Sequence, residues 1–272
     1  MIKNLKKNKF EYIVVSIAIL LSFLWSIYSL NNFDKTKINF NGNWHNQLLY
    51  EDLASNWDSA DKFKKKLDKG DGFFNSIPVY EKYLLPTIIV GYYYHLIDQD
   101  IYEKKNNGQK VIKIKNYKFG LLIFQIIIFY LSILLIAKEL KKKVSENLFK
   151  FIIIFLSLEP SILQWHSSFW TESLFLSMML ILFSLILKKS NDILINLLIG
   201  VVLGLMFIQR SVSFLYIVPV FIYYIFIYKK KIKPYFFLIT GYLLIVLFTG
   251  YNNYKETNYF HILSLKHQYV SY

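Results

Sequence analysis

Apolar residues in this chain are grouped into long runs, most of them flanked on one side by a cluster of lysines. A bilayer-crossing helix needs about 20 predominantly apolar residues. Seven segments fit that pattern: 11–30, 119–137, 148–168, 173–187, 192–208, 212–228 and 234–251. An eighth candidate, YLLPTIIVGYYYHLID at 83–98, is shorter, holds Pro86 and carries three consecutive tyrosines. The pattern predicts an all-α polytopic membrane protein, a single membrane domain over residues 1–272 with a large first extracytoplasmic loop at 31–118.

Lysine placement decides how the eighth segment is read. If 83–98 does not cross, Lys3, Lys6, Lys7 and Lys9, Lys138 and Lys141 to Lys143, Lys188 and Lys189, and Lys229 to Lys231 with Lys233 all fall in cytoplasmic pieces. If it does cross, every later cluster moves outside, against the positive-inside bias. The 83–98 segment is therefore expected to dip into the outer leaflet or lie along it. The first span, basic at its start and followed by no small-residue cleavage site, is expected to be retained with the N-terminus in the cytoplasm. The 31–118 loop holds 11 of the 18 acidic residues. A loop of that length is expected to carry surface helices, one at 48–67 and one at 83–98.

Composition narrows the function. Of 272 residues, 55% are hydrophobic and 19% aromatic, and 32 Lys+Arg stand against 18 Asp+Glu. The clustering of apolar residues excludes a soluble enzyme or a nucleic-acid-binding module despite the net charge of +14. With no Cys, disulfides, thiolate metal sites and cysteine nucleophiles are excluded. The chain has no P-loop, GxGxxG, HExxH or GxSxG pattern, and its five histidines lack metal-ligand spacing. A divalent metal is permitted by the carboxylates but not required.

Three groups of residues are candidates for chemistry. In NQLLYEDLASNWDSADKF, Asp58 and Asp61 are three apart on a helix, near Glu51 and Asp52, and a carboxylate there can serve as a general base. Solvated charges on an amphipathic helix are the plainer reading of the same pattern. In LSLEPSILQWHSSFWTESLF, Glu159 and Pro160 stand in the outer half of an apolar segment, where ionisable groups face a cavity or a partner. Glu172 follows Thr171 at the start of the next span, as a cap or as a functional carboxylate. His166, Trp165 and Trp170 read as an interfacial belt. Arg210, the single arginine among 32 basic residues, stands at the outer end of the fifth span. Its planar fork of donors suits a phosphate better than lysine does.

LEPSILQWHSSFWTESLFLSMMLILF, LIGVVLGLMFIQRSVSFLYIVP and GDGFFNSIPVYEKYLLPTIIVGYYYHLI together resemble polyprenyl-phosphate-dependent type-C glycosyltransferases, the group that includes protein O-mannosyltransferases and aminoarabinose transferases. The expected topology matches that family too. The resemblance implies an inverting hexosyltransferase in a bacterial inner membrane, working on its extracytoplasmic face. The partners it implies are a polyprenyl-phosphate sugar donor, an unidentified lipid, glycan or protein acceptor, and no nucleic acid. Carried over by position, Asp58 or Asp61 is the general base, Glu172 the second acidic position and Arg210 the phosphate contact. A second frame, through Tyr50 and Ala54, puts Asn46 at the base position and passes that role to Glu51 or Asp52. The chain is short for the family and is expected to be a minimal or truncated core. A lipid-linked sugar flippase or transporter is the alternative, and it would rely on Glu159 rather than on the loop carboxylates.

Overall fold

The computed structural model describes residues 9–31, 37–40, 43–46, 51–78, 84–104, 110–112, 118–166, 171–229 and 231–262. Trp170, Tyr50, Lys3, Lys6 and Lys7 lie outside them, as do the side chains of Glu51, Asp52 and Trp165. The chain divides into two compact units, Met1–Glu51 with Ile114–Leu187 and Asp52–Lys113 with Lys188–Tyr272.

The first unit is built on α1 (Lys9–Asn31), α5 (Lys118–Leu140), α6 (Glu146–Leu158), α7 (Pro160–Trp165) and α8 (Thr171–Leu187). Its apolar core joins Val14, Val15 and Ala18 of α1 to Ile126, Phe129, Tyr130 and Ile133 of α5, and to Phe149 and Ile153 of α6. A two-stranded antiparallel hairpin, β1 (Lys37–Phe40) with β2 (Asn43–Asn46), belongs to the same unit. The register pairs Phe40 with Asn43 across the intervening Asn41-Gly42, the residue pair that two-residue hairpin loops favour.

The second unit holds α2 (Glu51–Asp68), α3 (Phe73–Ser76), α4 (Leu84–Leu96), the hairpin β3 (Tyr102–Lys104) with β4 (Lys110–Ile112), α9 (Ile193–Gln209), a 3-10 turn at Ser211–Tyr216, α10 (Ile217–Tyr228) and α11 (Ile232–Thr257). Helices α9 and α11 cross at glycines. A methyl placed on Gly200 would lie 2.0 Å from the Leu238 carbonyl oxygen, and one on Gly241 2.2 Å from that of Leu197. Gly204, four residues beyond Gly200, faces Ile245. Small residues at this spacing let two helix backbones meet.

Among the described residues, three helical segments are long and apolar enough to cross a membrane: Lys9–Tyr28, Phe119–Leu140 and Ile232–Lys255. Thr171–Leu187, Ile193–Gln209 and Ile217–Tyr228 are shorter apolar helices. The stretch expected as one span at 148–168 is instead two helices broken at Glu159. Proline restrains the residue before it to extended backbone, and Glu159 has φ −61° and ψ 124°. The 13-residue α4 rises only about 20 Å, short of the roughly 30 Å hydrocarbon core. The helix expected at 48–67 is α2; the two hairpins in the loop are additions to the all-helical expectation.

Candidate functional site

Helix α2 is amphipathic, and its inner face is set by α4. Ser59, Ala60, Asp61, Phe63 and Lys64 are buried, whereas Asp58, Lys62 and Lys65 are exposed. On α4 the buried positions Leu84, Thr87, Gly91 and Tyr94 recur at intervals of three and four, so one stripe turns inward. Gly91 makes the close approach possible: a methyl there would meet Phe63 Cδ1 at 2.6 Å and the Ala60 carbonyl oxygen at 2.7 Å. Below this contact Phe63, Ile77 and Leu84 form an apolar cluster, with Leu67, Ile88 and Ile208 packed on it. Ile208 belongs to α9 and stands two residues before Arg210.

The two aspartates of α2 lie in different surroundings. Asp61 is 5% exposed, and its Oδ2 accepts a hydrogen bond from Lys65 Nζ at 2.5 Å. Asp58, one turn earlier, faces outward. Spacing alone puts both on one face; burial separates them. Of the two, Asp58 has the exposure that a base accepting a proton from an incoming acceptor requires.

A polar contact that the sequence did not disclose ties the far end of α2 to α4. Asp68 Oδ2 accepts from Lys64 Nζ at 2.5 Å, and Asp68 Oδ1 lies 2.7 Å from His95 Nδ1. The Asp100 carboxylate stands 3.7 Å from the same Lys64 ammonium. Partial burial works to raise the Asp68 pKa, but the Lys64 and His95 contacts outweigh it and hold the carboxyl below its ordinary 3.8. The Lys64–Asp68 spacing is visible in the chain, whereas His95 is 27 residues away and joins only through the α2–α4 packing.

Arg210 is half-buried at the C-terminal end of α9, in extended backbone with φ −148° and ψ 116°. Its N–H donates to the Met206 carbonyl at 2.9 Å, and its own carbonyl accepts from Ser213 N–H, so the 3-10 turn follows directly. Arg210 and the two α2 aspartates thus belong to one compact unit, and Glu172 belongs to the other. Glu172 is half-buried in the first turn of α8, where its Oε2 accepts from Thr171 Oγ1 at 2.9 Å. Both Glu172 and Arg210 are engaged in interactions within the chain.

Two readings from the sequence change here. Glu159 does not face a cavity from within a continuous span; its carboxylate caps α7, accepting from the Ile162 N–H at 3.0 Å and from the Ser161 hydroxyl. Pro160 fills the first helical position, where a missing N–H costs nothing. His166 is not interfacial: it is fully buried, with Nδ1 2.9 Å from Ser22 Oγ and its carbonyl accepting from Ser26 Oγ at 2.6 Å. Tyr130 extends that network, its hydroxyl 2.8 Å from Ser22 Oγ and donating to the Ala18 carbonyl at 3.1 Å. Among the described residues no three His, Asp or Glu side chains converge as a metal-ligand set.

No family model, curated protein or solved structure matches this chain.

Proposed function

We propose that the protein is a membrane glycosyltransferase that moves a sugar from a polyprenyl-phosphate donor to an acceptor at the extracytoplasmic face. The observation that carries the reading is the make-up of the second unit. An exposed carboxylate, Asp58, rides on a helix whose buried face shares one apolar cluster with the end of α9, next to Arg210. A base and a phosphate-binding cation are the two groups that this chemistry requires of a protein.

In the proposed reaction the acceptor oxygen attacks the anomeric carbon from the face opposite the phosphate. Asp58 takes the proton from that hydroxyl as the new C–O bond forms. The bond between the anomeric carbon and the phosphate oxygen breaks, and polyprenyl phosphate leaves with the electron pair. Arg210 stabilises the charge that develops on the leaving phosphate, since a guanidinium can donate to two of its oxygens at once. The configuration at the anomeric carbon inverts. Asp61, buried and bonded to Lys65 of its own helix, has no part in the reaction.

The test is sugar transfer in membranes supplied with radiolabelled polyprenyl-phosphate hexose. Asp58→Asn should abolish transfer, losing about 10²-fold or more, while Asp61→Asn retains most of it. Arg210→Lys should insert normally yet use donor poorly, because lysine keeps the charge and loses the fork. Full activity in Asp58→Asn, or equal turnover in Arg210→Lys, would overturn the assignment. Orientation has its own check in intact cells. An impermeant thiol reagent should label Asp71→Cys from outside and leave Lys143→Cys untouched; the reverse would invert the topology.

A further inference from the structure

At the lysine-rich end of the first unit, α1 and α5 enclose a hollow of about 490 Å³. Its α5 wall runs through Leu131, Leu135, Lys138 and Lys142, steps of four, three and four that keep all these positions on one helical face. The face changes character along its length. Leu131 and Leu135 are 54% and 49% exposed on a helix apolar enough to cross a membrane, and the stripe then turns basic. Tyr12 of α1 stands opposite, half exposed.

The charges are arranged unevenly. Glu11 of α1 is buried and its Oε1 accepts from Lys141 Nζ at 2.9 Å, which fixes α1 to the end of α5. Lys142 reaches both carboxylate oxygens of Glu139, each at 3.1 Å. Lys138 is exposed and makes no ion pair among the described residues. At this end of α5, four lysines (Lys138, Lys141, Lys142 and Lys143) face two glutamates (Glu11 and Glu139), a net of +2.

We propose that this hollow is a binding site for an anionic phospholipid, with the phosphate at Lys138 and Lys142 and an acyl chain along Leu131 and Leu135. A free phosphate would use the lysines alone. The apolar half of the stripe commits the site to a lipid, because it continues the headgroup position into the lipid-facing surface of α5. Basic pockets at the ends of membrane helices recognise anionic headgroups, each cation adding to the attraction. The Glu11–Lys141 pair ties α1 to the end of α5 beside the hollow.

Native mass spectrometry of the delipidated full chain in detergent tests this with dioleoylphosphatidylglycerol and dioleoylphosphatidylcholine. Phosphatidylglycerol should bind about ten-fold tighter than phosphatidylcholine. Lys138→Gln with Lys142→Gln should erase the preference. Lys138→Glu should lower it strongly by itself; it leaves the Lys142–Glu139 pair intact, so it reports on binding even where the double variant does not fold. Lys231→Gln with Lys233→Gln, a change in another lysine cluster, should leave the preference unchanged. Equal binding of the two lipids, no response to Lys138→Glu, or an equal loss in the Lys231/Lys233 variant would overturn the site. Displacement of phosphatidylglycerol by millimolar inorganic phosphate would overturn the lipid as its occupant.

Discussion

One helix contact in each unit is made by a different means. In the first, α1, α5 and the segment around α7 are joined by a buried chain of hydrogen bonds through Ser22, Tyr130 and His166. In the second, α9 and α11 meet through Gly200, Gly204 and Gly241, with backbone against backbone. Lipid tails are as apolar as leucine, so burying a leucine between two membrane helices gains little over leaving it in lipid. What remains is close van der Waals contact or interhelical hydrogen bonding; the α9–α11 contact uses the first and the Ser22–Tyr130–His166 contact the second. The difference lies in tolerance. A glycine seam fails when any atom is added, whereas a polar network loses one bond at a time.

Gly200→Ala should give the largest effect. Its new methyl would stand 2.0 Å from the Leu238 carbonyl oxygen and 2.7 Å from the Tyr242 nitrogen, so the helices must separate. A loss of about 3 kcal/mol is expected in denaturant unfolding of the detergent-solubilised chain. Gly204→Ala would set its methyl 2.7 Å from Ile245 Cβ, a side-chain atom rather than a backbone oxygen at 2.0 Å, and should cost less, about 2 kcal/mol. Equal costs at the two positions would mean that the backbone contact is not what fixes the pair.

In the first unit, His166→Phe keeps the ring and its packing against Phe129 but removes the bond to Ser22. The expected loss is about 1 kcal/mol. Tyr130→Phe should cost a little less, about 0.6 kcal/mol, since Ser22 keeps His166 as a partner. A double variant that loses less than the sum would show that the three groups act as one network. If either single change cost as much as Gly200→Ala, the contrast between the units would disappear.

The smallest effect belongs to the aqueous contact between α2 and α4. The Asp68 carboxyl is held below its ordinary 3.8 in the folded chain. The unfolded chain therefore binds the proton first as acid is added. The stability that Asp68 contributes is present above about pH 3.8 and is lost as pH falls through its lower folded value. Amide exchange in α2 should rise over that window, and Asp68→Asn should flatten the response. An unchanged pH profile in Asp68→Asn would assign the acid sensitivity to another carboxylate.

The apolar runs determined by themselves that the chain is helical and where most helices begin and end, because a 20-residue run has few ways to satisfy its backbone in lipid. The α2 helix was equally plain from its charge pattern, and Pro160 marked the break that separates α6 from α7. The Asn41-Gly42 pair that separates β1 from β2 in the sequence is itself a hairpin signal. Other outcomes were set only by packing. Whether an aspartate three residues from another is buried depends on what packs over it, and in the fold Asp61 is buried whereas Asp58 stays exposed. His166 looked like one more polar residue at an interface, and only the positions of Ser22 and Tyr130, 144 and 36 residues earlier, make it a buried partner. Periodicity records what a residue's own helix does with it. Burial and pairing are decided by helices distant in sequence, and one chain's pattern does not encode their approach.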